Sequence, residues 1–280
     1  MRKYYYLISS IPDIILQGEA KGMLLVDFLD FCSFELHPED YRNLRMMYLF
    51  NDIKNAINYE KIEESYSEPS FYTKEEFIEN LKDFDSFLPF LSEYFFMKKN
   101  GKRAYPKKNE LDELYCLFYD YIYELECDEF VKRYYIECEL VIKNIASAMM
   151  MRFKNNFDEE KIIPYGDYYE KIIKTNSLDL GLALEFPFIE KLVSALTKGD
   201  YVTFEEILEN ARWQILDDFV GTEYFGVWNV YSIGVKLASV ERWKKLNIEK
   251  GKEKLESLLA SIKNSIVFPE EFTKIGGKVR

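Results

Sequence analysis

NELDELYCLFYDYIYELECDEFVKRYYIECELVIKNIASAMMMRFKN, from Asn109 to Asn155, is the stretch whose reading decides the fold. Leu111, Leu114, Phe118, Tyr121, Ile122 and Leu125 recur at three- and four-residue spacing, and Tyr134, Cys138, Val141, Ile145, Ala148 and Met149 continue the pattern. That period lines each set along one side of an α-helix, whereas a half-buried strand would alternate every second residue. The spacing predicts the longest helical run of the chain and leaves open whether Cys127-Asp128 interrupts it.

The same stretch disposes of most cysteine chemistry. Cys116, Cys127 and Cys138 are 11 residues apart, close to three helical turns, so on one continuous helix neighbours would stand about 16 Å from each other. That is too far for a disulfide or for thiolates converging on one ion. With Cys32 isolated, the four are expected to be buried thiols of a reducing compartment.

Outward from this centre, helical signals recur with local start points. Thr73-Lys74-Glu75-Glu76 has the form of a capping box, followed by Phe77, Ile78, Leu81 and Phe84, and Thr203-Phe204-Glu205-Glu206 repeats it before Ile207, Leu208, Ala211, Ile215 and Phe219. Gly221 offers that second helix a left-handed stop. Thr-x-Glu-Glu-apolar-apolar-Glu-Asn fits both Thr73 to Asn80 and Thr203 to Asn210, which hints at an internal repeat. Further helices are expected from Tyr224 to Leu246 and from Gly251 to Ile266, with Asn58 to Tyr72 as an exposed connection and Pro269 to Arg280 as a loose tail. Only Tyr4 to Ile8 reads as extended, so the predicted fold class is all-α.

Composition narrows function by exclusion. An aromatic share of 17%, with 22 Phe and 22 Tyr, implies a packed core. The longest uncharged run, Tyr224 to Val235, falls short of the roughly 20 residues that cross a bilayer, and the N-terminus lacks a signal-peptide core, so a soluble, unexported protein is expected. A net charge of -12 disfavours nucleic acid and anionic lipid as main partners. His37 is the sole histidine, and Pro38-Glu39-Asp40 after it suit a helix start, so templates built on a histidine base or on two histidine ligands do not apply. The sequence carries no phosphate-cradling glycine loop, and no cofactor or metal site is expected. The adjacent acids at Glu63-Glu64, Glu159-Glu160 and Asp217-Asp218 diverge on a helix and read as solvated faces.

Two features stand out against this background. Lys98, Lys99, Lys102, Arg103, Lys107 and Lys108 place six cations in 11 residues of an acidic chain, either as a solvated turn around Asn100-Gly101 or as an electrostatic contact with an acidic protein partner. If the loop is such a contact, reversing Lys102 and Arg103 to Glu is expected to leave stability nearly unchanged. The tyrosine excess, from Tyr4-Tyr5-Tyr6 to the group around Tyr115 to Tyr135, must in part reach the surface, where tyrosine suits protein interfaces.

The opening Tyr4-Tyr5-Tyr6-Leu7-Ile8-Ser9-Ser10-Ile11-Pro12-Asp13 resembles the start of an uncharacterised bacterial family whose genes lie among those of V-type ATPases, in the place where the gene of the C/d-type coupling protein is expected. Coupling proteins of the V-type ATPase C/d family are non-catalytic helical funnels of three similar bundles that join the central axle to the membrane rotor ring. The C/d-family pattern of Asn followed some turns later by Arg resembles Asn144 and Arg152, and its Tyr, Glu and Arg helix resembles Tyr231, Glu241 and Arg242. The resemblance implies one all-helical unit over 1–280, with subdomains near 1–100, 101–200 and 201–268 and a tail over 269–280. It also implies a cytoplasmic protein, peripheral at the membrane and monomeric when isolated, whose partners are axle and ring subunits. The rival reading from another class is a carboxylate-based helical hydrolase, which a pocket of converging Asp and Glu side chains would favour.

Overall fold

The computed structural model describes residues 2–16 and 23–245. The helix expected after Gly251 and the tail after Pro269 lie outside the described residues. Thirteen α-helices are found among the described residues: α1 (Tyr5–Ser10), α2 (Leu25–Glu35), α3 (Pro38–Met46), α4 (Leu49–Ile57), α5 (Lys74–Asn80), α6 (Pro89–Lys99), α7 (Glu110–Glu124), α8 (Glu129–Arg133), α9 (Leu140–Phe153), α10 (Tyr169–Lys174), α11 (Phe188–Thr197), α12 (Tyr201–Val220) and α13 (Val227–Lys245). A π-helical turn, Tyr134–Glu139, joins α8 to α9 without a break. No strand is present among the described residues, and no helix there is long and apolar enough to cross a membrane. The fold is all-α.

The decisive stretch is two helical rods. Leu125 leaves helical geometry, and the Asp128 carboxylate then caps α8 by accepting from the Phe130 amide at 2.8 Å. Cys127 falls in this break, and Cys116 and Cys138 are buried on separate rods with their thiols free. Tyr4 to Ile8 is not a strand. One backbone bridge pairs Lys3 with Gly226, and the chain turns into α1 immediately afterwards.

The two Thr-x-Glu-Glu segments also part company. Thr73 caps α5 with both bonds of the capping box in place. Thr203 lies inside α12, because the Asp200 carboxylate accepts from the Thr203 amide at 3.0 Å and from its hydroxyl at 2.7 Å, starting that helix at Tyr201. An acidic cap three residues upstream is the better acceptor for the free amides, so the sequence likeness does not produce the same local structure. His37 caps α3, with Pro38 in the first turn.

The core runs through the middle of α7. Phe118 packs against Phe50 of α4 and Phe90 of α6, each with ring centroids 5.3 Å apart, and against Tyr135 of the π turn at 4.8 Å. Tyr135 is wholly buried and its hydroxyl sits at the break between α3 and α4, donating to the Met46 carbonyl at 2.6 Å and accepting from the Leu49 amide at 3.1 Å. On the far side, α12 packs between α11 and α13, and α13 crosses α2 and α3. Gly234 permits that crossing, since a Cβ there would stand 2.7 Å from the Tyr48 hydroxyl and 2.9 Å from a Leu44 methyl.

Within Asn58 to Tyr72, most residues up to Ser65 are exposed as expected, whereas Ser67 to Tyr72 is a laced segment. Asn55 on α4 exchanges two hydrogen bonds with the backbone of Ser67, and Asn51 donates to the Pro69 carbonyl at 2.6 Å. Arg45 donates to the carbonyls of Ser70 and Phe71 at 2.8 and 3.1 Å, while buried Asp52 accepts from the Phe71 and Tyr72 amides at 2.7 and 3.3 Å. Side chains of α3 and α4 thus replace the sheet or helix partners that this backbone lacks. Burial pushes the Asp52 carboxyl up to about 7, against the pull of those two amides and of Arg45.

Asp52 therefore holds a proton more tightly in the folded chain than in the unfolded one. Its contribution to stability is present below about pH 4 and is lost as pH rises toward 7. In urea titrations, the stability of the wild type relative to Asp52→Asn is expected to fall between pH 4.5 and 7.5, by at most about 4 kcal/mol at 1.36 kcal/mol per unit. A difference that stays flat over that window would contradict the assignment.

Candidate functional site

The π turn forms one wall of a cleft of ≈ 490 Å³ whose other walls come from α4, the laced segment, α12 and α13. Four charged side chains of opposite sign meet there. Arg212 of α12 grips Glu139 of the π turn through two parallel bonds, at 2.5 Å from Nε and 3.3 Å from Nη2, and reaches Glu209 with Nη1 at 2.7 Å. Glu209 is fully buried, and it also accepts from the Arg242 guanidinium and the Ser239 hydroxyl of α13. Burial pushes the Glu209 carboxyl up, but Arg212, Arg242 and Ser239 outweigh it and hold the group below its ordinary value. Burial likewise disfavours the Arg212 cation, yet Glu139 and Glu209 raise its pKa well above the usual range.

Chemically this is a closed ion network. Glu139 and Glu209 converge on one guanidinium, which stands between them in place of the direct carboxyl–carboxyl contact of a shared-proton pair. Among the described residues no group of three or more His, Cys, Asp or Glu side chains could hold a metal ion. The sequence reading did not single out Glu139, Glu209 or Arg212. Glu209 and Arg212 share a helix face at i,i+3, but their partners on the π turn and α13 lie 73 and 33 residues away. A π turn has no sequence signature that would have revealed the convergence.

Arg242 is the one residue of the sequence-derived set that joins this network. Glu241 beside it accepts from the Leu25 amide at 2.8 Å, supplying the cap that α2 lacks locally. Asn144 exchanges hydrogen bonds of 2.9 and 3.0 Å with the Ile163 backbone, tying α9 to the segment after it. Arg152 donates to the Ile172 carbonyl at 2.6 Å and lies over the Phe157 ring. Tyr231 is fully buried against Phe130.

Most cations of the basic loop engage neighbouring groups, although Lys99, Lys102, Arg103 and Lys107 remain exposed. Lys98 pairs with Glu110 at 2.5 Å and lies over the Tyr59 ring, and Lys99 lies over Phe84. Arg103 bonds Glu113, which is almost wholly buried, at 2.7 Å and donates to the Lys108 carbonyl. Lys107 stands 3.9 Å from Glu160, while Lys108 reaches the carbonyls of Glu160 and Ile162. The Lys102 side chain makes no hydrogen bond or ion pair with any described residue. The expectation that Lys102 and Arg103 can be reversed together without loss of stability therefore fails for Arg103, whose reversal would set a carboxylate against buried Glu113.

Fold and cleft together define a helical protein whose buried charges hold helices together. The chain belongs to a family described as a protein of unknown function, DUF2764, whose model matches residues 1–266. No curated protein and no solved structure matches the chain.

Arg212→Ala would leave two buried carboxylates without their shared cation, and a loss of about 3–5 kcal/mol in urea unfolding is expected. Glu139→Gln and Glu209→Gln added to Arg212→Met should recover most of it, because no buried charge is then left unpaired and Arg242, half exposed, can turn to solvent. Separately, Lys102→Glu should change stability by less than about 0.5 kcal/mol. Arg103→Glu should cost about 2 kcal/mol or more through the unpaired Glu113. Equal effects of the two loop variants would contradict the pairing.

Proposed function

We propose that the protein is a non-catalytic coupling component of a V-type ATPase, resembling the C/d family, which joins the central axle to the membrane rotor ring. The reading rests on the resemblance of the Tyr4–Asp13 opening and is supported by the nature of the core. A rotary coupler must transmit torque with little compliance, and close-packed interiors have low compressibility. Here an aromatic cluster links α4, α6, α7 and the π turn through Phe118, and the buried charges are committed to holding helices in register. A funnel of three bundles, axle and ring subunits as partners, and a peripheral place on the cytoplasmic side of the membrane are parts of the same proposal. The carboxylate-based hydrolase is the weaker alternative, since Glu139 and Glu209 are neutralised by Arg212.

Tagged protein expressed in its own cells should co-purify with axle or ring subunits from gently solubilised membranes. The isolated chain should sediment as a monomer and give no calorimetric heat with micromolar ATP. Absence of V-type subunits from a preparation in which the rest of the ATPase stays assembled would remove the reading.

A further inference from the structure

The four most exposed aromatic residues among the described ones lie on α1, α2 and the turn before α13. Tyr5 and Tyr6 of α1 are 60% and 70% exposed, Phe34 of α2 is 86% exposed, and Tyr224 before α13 is 61% exposed. Two groups of ring contacts meet at the adjacent Tyr5 and Tyr6: Tyr5 with Phe225 at 4.9 Å and Phe225 with Tyr224 at 5.3 Å, and Tyr6 with Phe31 at 6.1 Å, with Phe34 one turn further along α2. Scattered single apolar residues on a surface need no explanation, but a connected aromatic patch of this kind marks a place where another molecule sits.

Charge decides what that molecule is. The eleven residues of α2 carry Asp27, Asp30 and Glu35 and not one lysine or arginine. Of the cations beside α1, Arg2 is engaged by Asp40 at 2.7 Å and by Glu39, and Lys3 by Glu223. A second copy of this surface would bring like charges together, and an anionic membrane would be repelled. Lysine and arginine are favoured twice over, by the carboxylates and by the open faces of Tyr5, Tyr6 and Phe34 through cation–π contact.

We infer that the surface formed by α1, α2 and the Tyr224–Phe225 turn is a docking site for a basic amphipathic helix of a partner protein. The apolar stripe of that helix covers Tyr6, Phe31 and Phe34, and its flanking cations meet Asp27, Asp30 and the aromatic faces. The inference goes beyond the coupling reading, because it concerns the chemistry of the partner and not the complex that supplies it.

The test uses the full chain and a fluorescein-labelled amphipathic Leu/Lys peptide of about 20 residues, with a Leu/Glu peptide of the same apolar face as comparison. Anisotropy at about 50 mM salt should show binding of the Lys peptide alone, weakening as salt rises toward 300 mM. Tyr6→Ala with Phe34→Ala, and separately Asp27→Lys with Asp30→Lys, should each weaken it about tenfold or more, with circular dichroism unchanged. Asp83→Lys with Asp85→Lys makes the same change of net charge on the turn before α6 and should alter binding less than about twofold. Equal weakening by the two charge variants, or no effect of the aromatic variant, would overturn the inference. So would a dimer, or binding to phosphatidylserine vesicles, that disappears with Tyr6→Ala and Phe34→Ala, since either would give the surface a different occupant. Because no V-type ATPase component enters this experiment, its failure and that of the coupling reading are distinguishable.

Discussion

One wide helical turn, Tyr134–Glu139, has to satisfy two neighbours at once. Its i→i+5 hydrogen bonding is less favourable than the α-helical pattern and persists only where surrounding contacts require it. Two such contacts are visible. The Tyr135 hydroxyl takes a donor and an acceptor from the α3–α4 break, where helix ends leave backbone groups unpaired, and Glu139 closes on Arg212 in α12. Tyr134, Tyr135, Cys138 and Glu139 are all buried, so this short segment is enclosed on more than one side, unlike the one-sided amphipathic helices around it. A strictly α-helical segment would rotate one set of these side chains away from its partner.

The charge network beside the turn is not a large source of stability in the way an apolar core is. Removing Glu209 and Arg212 from water costs several kcal/mol per ion, and their attraction roughly repays this when every donor and acceptor is matched. What such a network does is penalise any arrangement that separates its members. Glu209 on α12 meets Arg242 and Ser239 on α13, and Arg212 meets Glu139, so sliding α12 by one turn would strand Glu139 and Arg242. Asp52 and Arg45 apply the same logic to loop backbone: the Ser67–Tyr72 segment has no periodic partner and is held by side chains reaching across from α3 and α4.

Features that depend on local spacing were legible in the sequence. The Thr73 capping box, the His37-Pro38 helix start, the Gly221 stop and the paired apolar stripes of the central stretch each rest on interactions within a few residues, and each produced the expected element. Where competition between local signals decided the outcome, the reading went astray, as at Asp200 against Thr203. Where distant partners decided it, the residues gave no sign. Polar residues such as Ser67 and Ser70, with Pro69 between them, look like an open loop until Asn51, Asp52 and Asn55 on α4 are seen to hold that stretch. The acidic residues Glu139 and Glu209 look like solvated helix positions until Arg212 is placed between them.

Tyrosine usage shows how burial divides one residue type between two tasks. Tyr119, Tyr135 and Tyr231 lie wholly inside, where burial raises each phenol's pKa and keeps it neutral, and where the ring contributes most of the energy. Tyr5, Tyr6 and Tyr224 carry the same ring outward, at an uncompensated cost in exposed apolar area. A helix start such as Tyr5–Ser10 needs no aromatic residue at those positions, and Leu7 and Ile8 already anchor α1 in the core. Tyr5 and Tyr224 rest against Phe225 and Tyr6 against Phe31, so packing within the chain uses one side of each ring, and the partner inferred for this surface would cover the side left open.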